Sequence, residues 1–279
     1  MASKAFYAVV AGVGAGTGRA VALRFAKAYP VVLLARKPES YDDLVAEITK
    51  SGGKAIGIST DASDPASITS AFASIKKELP DSKLAAAVFN VGGGFGIKPF
   101  LETSVEELQT SLASNPYVSL PCDLWFRGPG SHRPDKQRSV GLYNFAKSAL
   151  PLLLESVDSA PHPPSLLVTG ATAAFRGSAR FGLFAAGKFA KRALAQSLAR
   201  EFGPKGVHVA FINIDGIIDI PRLTDWPAND GAPDGKIDPA AVSGSLVLPL
   251  SALVLTGSLD CRQLLVSAHA ATVCLYAGT

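Results

Sequence analysis

The sequence predicts a single α/β domain built on a doubly wound parallel sheet. Two observations carry that expectation. Continuous apolar runs alternate with amphipathic stretches through most of the chain, the pattern of strands buried on both faces and helices that cover them. The first apolar run also opens straight into a glycine cluster followed by a helical pattern, as at the first strand-to-helix turn of such sheets. A length of 279 residues suits one large domain, or one domain with appended pieces.

The elements follow in order. In "AFYAVVAGVGAGTGRAVALRFAK" a strand from Ala5 to Ala11 leads into Gly12, Gly14, Gly16 and Gly18, and Val21, Leu23, Phe25 and Ala26 begin a helix. Glycines allow a sharp turn there, and the missing side chains let backbone N–H groups approach a pyrophosphate at a helix N-terminus. Thr17 and Arg19 belong to the same turn. A second strand, Pro30 to Arg36, ends in Arg36-Lys37. A cation at this strand end suits a ribose 2′-phosphate, where an acidic residue would suit a free 2′-hydroxyl, so NADP is expected in preference to NAD. Arg19 is placed to help. A helix is expected over about Tyr41 to Ser51, then a strand "KAIGIST", a helix from Pro65 to Leu79, and a strand from Leu84 to Gly94. Ligands of parallel sheets bind at the carboxyl ends of strands, where Asp61, Asn90 and Gly92 fall. Asp61 is a candidate acceptor for an adenine amino group, Asn90 a brace to the neighbouring strand, and Gly92 a source of room. Each also fits an ordinary turn.

Composition excludes several classes. Apolar residues make up 48% and charged residues 18%, which is a globular and not a disordered balance. The net charge of +4 comes from nearly balanced signs with no basic stripe, so no nucleic-acid partner is expected. Three cysteines without paired spacing, and four scattered histidines, describe neither a disulfide framework nor a metal site, and the expected home is the cytoplasm. The opening "MASKAFYAVVAG" reads as a first strand, not as a signal peptide.

The chain resembles the short-chain dehydrogenase/reductase family over roughly residues 5–115 and 140–222. Gly12, Gly16 and Gly18 match the family's cofactor glycines, and "FNVGG" matches its Asn-Ala-Gly element around Asn90 and Gly92. Asn115 falls on the helix position of its structural and catalytic asparagine. "SLLVTGATAA" (Ser165 to Ala174) and the helix within Ala179 to Phe202 match its active-site strand and helix. "GVHVAFINIDGIIDIP" (Gly206 to Pro221) fills the sixth strand and the loop that usually supports nicotinamide, here with Gly216 and Ile218. The resemblance implies a Rossmann-like fold and an NADP-dependent oxidoreductase acting on a small carbonyl, alcohol or related substrate. It also implies dimers or tetramers built through Val140 to Ser156 and Ala179 to Phe202.

The same resemblance exposes a departure. The family's tyrosine and serine hydroxyls hold the substrate carbonyl, and its lysine, four residues after the tyrosine, serves the tyrosine and the nicotinamide ribose. Lys188 stands at the lysine position, but Phe184 occupies that of the tyrosine and Ala171 that of the serine, with Thr172 beside it. Three readings stay open: a divergent oxidoreductase in which Thr172 or Ser178 orients the carbonyl, an NADP-binding sensor or scaffold without turnover, and a sequence that has lost activity altogether.

Two stretches break the pattern. Pro116 to Ser139 holds four prolines and a Gly-Pro-Gly turn, so no helix runs through it. It reads as a substrate lid carrying Trp125 and Phe126 or, preferably, as an accidental insertion such as translated intron. Residues 1–239 are thus expected to form the dinucleotide-binding domain, interrupted at 116–139, with 240–279 an atypical apolar tail. Within the tail, Ala241 to Leu259 is a run of nineteen uncharged residues, but its serines, glycines and proline, without flanking basic anchors, argue against a membrane span. "SALVLTG" is expected to supply part of a last strand.

Overall fold

A computed structural model describes residues 5–92, 97–114, 141–226, 228, 235–244, 264–268 and 271–277. The expected lid or insertion at 116–139, Asn115, and the "SALVLTG" run lie outside the described residues.

Six parallel strands form the body of one sheet. They are β1 (Phe6–Ala11), β2 (Val31–Ala35), β3 (Ala55–Ser59), β4 (Lys83–Phe89), β5 (Ser165–Thr169) and β6 (His208–Asp215). Their spatial order is β3-β2-β1-β4-β5-β6, so the order reverses between β1 and β4 and leaves a crevice at their carboxyl ends. The helices are α1 (Thr17–Ala26), α2 (Asp42–Lys50), α3 (Pro65–Glu78), α4 (Val105–Ser114), α5 (Gly141–Leu154) and α6 (Gly182–Phe202). This is the doubly wound, Rossmann-like α/β arrangement that the alternation predicts.

Side chains alternate along each strand, so each strand feeds two cores. Val9, Phe89, Leu166, Val168 and Phe211 pack on one face with Phe145, Leu142 and Phe72. Val10, Leu33, Val88 and Leu167 pack on the other with Val21, Phe25 and Leu44. Burying each such side chain contributes about 1.5–3 kcal/mol, and that explains why the strands read as unbroken apolar runs. Local signals set the helix starts. Pro65 occupies the first turn of α3, and the Asp64 carboxylate accepts from the Ala66 N–H at 3.0 Å, satisfying one of the orphan donors there.

Two strands of the tail close the far edge. β7 (Leu264–Ala268) and β8 (Ala271–Ala277) lie farther along the tail than "SALVLTG". β8 pairs with β6 in antiparallel register, Phe211 opposite Tyr276 and Asn213 opposite Cys274, and β7 pairs with β8. Only two residues separate β7 from β8, and a connection that short permits only antiparallel pairing.

Gly12 is the tightest point of the fold. Its φ is +85°, and a Cβ built on it would lie 2.6 Å from the carbonyl carbon of Asn90 and the nitrogen of Val91. Gly12→Ala should therefore cost about 2–5 kcal/mol through left-handed strain plus backbone overlap. Gly14→Ala, with nothing within 4 Å of the added carbon, should leave stability nearly unchanged. Urea unfolding of the two variants side by side checks the contrast.

Candidate active site

The turn after β1 is built by backbone contact. A Cβ on Gly18 would fall 2.4 Å from the Gly12 carbonyl oxygen, so the start of α1 touches the end of β1. Asn90, just past β4, donates from Nδ2 to the Gly12 carbonyl at 3.0 Å and accepts on Oδ1 from the Thr169 hydroxyl at 3.1 Å. One amide thereby ties together the ends of β1, β4 and β5. Gly16, the N-cap of α1, makes no side-chain cap bond, and the Thr17 hydroxyl is buried without a hydrogen-bond partner among the described residues. Open helix N–H groups, a positive dipole end and an orphaned hydroxyl fit an anionic diphosphate. Gly92 has open space where its side chain would be.

The neighbouring strand end is polar and exposed. Arg36 follows β2 directly and faces solvent. Arg19 forms an ion pair with Glu47, both half-exposed, so its charge is already partly answered. Asp61 accepts on Oδ1 from the N–H and hydroxyl of Ser63, at 2.9 and 2.7 Å, in a local turn.

The other end of the crevice is lined by α6. Phe184, Ala185, Gly187, Lys188 and Lys191 form its buried stripe. Position 184 is one turn before Lys188, and the lysine Nζ lies 5.2 Å from the Phe184 ring centroid. Burial lowers the Lys188 amine to about 8 from the usual 10.5. Among the described residues no carboxylate is paired with it. The start of α6 is held by the Ser111 hydroxyl on α4, which donates to the Leu183 carbonyl at 2.7 Å.

Ala171 and Thr172 follow β5, and Thr172 opens a 3₁₀ turn, Thr172–Ala174. The Thr172 hydroxyl donates to Oδ1 of Asp215, the last residue of β6. Beyond Asp215, the Gly216–Ile218 loop is clipped in place. Ile218 bridges to Ile237, the Asp219 N–H donates to the Ile237 carbonyl at 2.8 Å, and the Ile237 N–H donates to that of Ile217 at 2.7 Å. Ile220 then reaches back over the glycine turn, where a Cβ on Gly16 would meet its Cγ2 at 2.6 Å. Gly12, Gly18, Asn90, Thr172, Lys188 and the Gly216 loop thus share the carboxyl edge of the sheet, while Arg36 and Asp61 stand at the ends of β2 and β3.

Two side chains at this edge escape a reading of the sequence. Lys191 is fully buried and donates to the carbonyls of Val91, at 2.8 Å, and Thr169, at 3.4 Å, below the crevice. Its amine is held well below 10.5, first by burial and then by the charge of Lys188. The available signal is its spacing, three residues after Lys188 and so on the same helix face. Asp215 carries the other signal, an acidic residue at the carboxyl end of an otherwise apolar core strand. Among the described residues, no group of three His, Cys, Asp or Glu side chains could hold a metal ion.

The chain is similar to known proteins in sequence and in fold. A profile of the short chain dehydrogenase family matches residues 7–118. The 1,6-dihydroxycyclohexa-2,4-diene-1-carboxylate dehydrogenase of Acinetobacter baylyi is 27% identical over 214 residues, covering 77% of this chain and 70% of that protein. A short-chain dehydrogenase from Rhodopseudomonas palustris, 29% identical, superimposes with a TM-score of 0.60 over 87% of this chain and 90% of its own. A short-chain dehydrogenase from Burkholderia cenocepacia, solved in complex with NADP, shares the fold with a TM-score of 0.69 at 22% identity, over 88% of this chain and 90% of its own. The glycine turn braced by Asn90, the sheet order and these likenesses agree: the chain matches the short chain dehydrogenase family over residues 7–118 and shares the fold of its solved members.

Proposed function

We propose that this protein is an NADP-dependent oxidoreductase that interconverts a small alcohol and its carbonyl compound. The observation that carries the reading is the buried Lys188 amine. It sits on the crevice side of α6 without a carboxylate partner among the described residues, at the same sheet edge as the open N-terminus of α1. A protein keeps an unpaired buried cation only where something else uses it.

The residues then divide the work. The N–H groups from Gly14 to Gly18, with the Thr17 hydroxyl, hold the diphosphate. Arg36 takes the 2′-phosphate, with Arg19 released from Glu47 as a second donor, and Asp61 accepts from the adenine amino group. Lys188 donates to the nicotinamide ribose, and Gly216 and Ile218 support the nicotinamide edge. Asn115 keeps its expected part in the catalytic relay. The dinucleotide supplies the two-electron exchange, and the protein supplies orientation and electrostatics. Phe184 has no proton to give and Ala171 no hydroxyl, so polar contact with the substrate oxygen falls to Thr172. We place the enzyme in the cytoplasm, as its three cysteines without paired spacing suggest, with a small-molecule substrate. No helix of the described residues is long and apolar enough to cross a membrane. Exposed Tyr143 on α5 and Phe189 on α6 support pairing of copies through these helices.

Three measurements test the reading. Arg36→Asp should weaken NADPH by about tenfold or more while leaving NADH within a few-fold, since a charge-assisted phosphate contact is worth about 1.5–3 kcal/mol. Equal losses for both dinucleotides in fluorescence titrations would remove the phosphate assignment.

Lys188→Met should weaken either dinucleotide yet stabilise the free protein. In the unfolded chain the amine titrates near 10.5 and in the folded protein near 8. Between those values the unfolded chain binds more protons, so this group's contribution to stability rises with pH across the window and is lost as pH falls through 8. At pH 7 the folded amine carries its charge in a buried site, so its removal should add about 1–3 kcal/mol. Urea melts should show that advantage at pH 7 and a smaller one at pH 9.5.

Phe184→Tyr should raise turnover across a panel of alcohols, ketones and enones by about 10²-fold, the lower range for a general acid. Binding of NADPH with no turnover by either form would identify a protein that holds the dinucleotide without using it.

A further inference from the structure

We infer that the reactive end of the crevice is built to receive a hydroxyl donor, so that the preferred ligand is an alcohol and not the matching ketone. This rests on the oxidoreductase reading above and adds the substrate class.

A threonine hydroxyl has one proton and two lone pairs, and a carboxylate has no proton at all. Thr172 spends its only proton on Oδ1 of Asp215. Toward a ligand its oxygen can then only accept. A ketone oxygen also only accepts, so it finds no partner at Thr172. An alcohol, with a proton of its own, does. Asp215 reinforces the same choice, because its second oxygen is another acceptor. At the two positions where the family resemblance expects hydroxyl donors, the chain has Ala171 and Phe184.

The pair is also held in place, so Thr172 cannot swing to serve a different partner at little cost. Gly170, two residues earlier, is underlain by the Phe211 ring, and a Cβ there would lie 2.0 Å from Cζ. The Gly170 N–H donates to the Ile212 carbonyl at 2.7 Å, which ties the approach to β6. On the far side Ala174 is fully buried, and the Arg192 guanidinium lies 3.9 Å from the Phe175 ring centroid. Both ends of the turn are therefore packed, and Asp215 is fixed as the end of a central strand. A donor so arranged keeps its orientation when the ligand arrives.

The test is equilibrium binding by calorimetry and ligand-observed NMR, using the full chain saturated with NADP⁺. The probes are matched pairs: cyclohexanol with cyclohexanone, and 2-butanol with butanone. The wild-type protein should bind the alcohol of each pair about tenfold or more tightly, the penalty for an unmatched polar contact. D215N keeps the shape but can itself donate to Thr172, which frees the threonine proton, so the alcohol preference should fall by about tenfold. T172S should retain the preference, and T172V should weaken alcohol binding about tenfold, with the Asp215 carboxylate left as the remaining acceptor. Far-UV circular dichroism and unchanged NADP⁺ affinity establish that each variant is folded. Equal affinities within the wild-type pairs, no alcohol binding, or a preference that survives both D215N and T172V would overturn the inference while leaving the oxidoreductase reading intact. A wild-type protein that binds no dinucleotide would overturn that underlying reading, and this inference with it.

Discussion

Asn90 holds the ends of three strands together, and the rest of the crevice depends on that bridge. Its amide reaches the Gly12 carbonyl on one side and the Thr169 hydroxyl on the other. Neither bond is strong alone, at about 1 kcal/mol net, but together they join three strand ends through one side chain. Backbone atoms around Gly12, Gly18 and Asn90 approach more closely than any side chain allows. A shift at one strand end would therefore open the turn, unseat α1 and move Thr169, from which the Thr172 turn is hung. Lys191 closes the same seam from below through the Val91 and Thr169 carbonyls.

That seam sets the cost of placing two lysines side by side on the buried face of α6. Each loses hydration, and each repels the other. Lys191 recovers part of this by donating to two carbonyls and by lying over the Phe89 ring, 5.1 Å from its centroid. Lys188 has the Phe184 ring and no carbonyl or carboxylate among the described residues. The two amines thus play different parts: one completes the scaffold, and the other is left in a state that stability alone would not select. Local rules are broken most often where a ligand will repair them.

Legibility in the sequence follows the same division. The glycine turn, the apolar strands and the amphipathic helices could be read because each rests on a local demand: φ above zero, burial on two faces, or a 3.6-residue stripe. Element ends could be placed only to within a few residues, as where β4 stops at Phe89 although the apolar run continues to Gly94. The partners of Arg19 and Thr172 could not be read, since Glu47 and Asp215 lie 28 and 43 residues away and meet them only through the sheet. Lys191 was hidden for another reason. A lysine on an amphipathic helix normally faces water, and only the packed structure shows carbonyls waiting beneath it. The position of the last strands turned on pairing at the sheet edge, where many short apolar runs compete for the same slot.

The two ends of the crevice answer to different physics. At the glycine turn the crevice is made of main chain. Almost any side chain added at Gly12 or Gly18 collides with backbone, so substitution there damages the fold before it changes the ligand. At the reacting end the site is made of side chains on elements already fixed from behind by Phe211, Arg192 and Ser111. Phenylalanine at 184 and alanine at 171 leave the strands undisturbed, because Phe184 is buried on α6 beside the Phe181 ring and Ala171 fills no more space than a serine. The chemistry can therefore change while the scaffold does not. At that end the Thr172 hydroxyl is paired with the Asp215 carboxylate, and in our proposal the direction of that one hydrogen bond decides which ligand oxygen the protein can recognise.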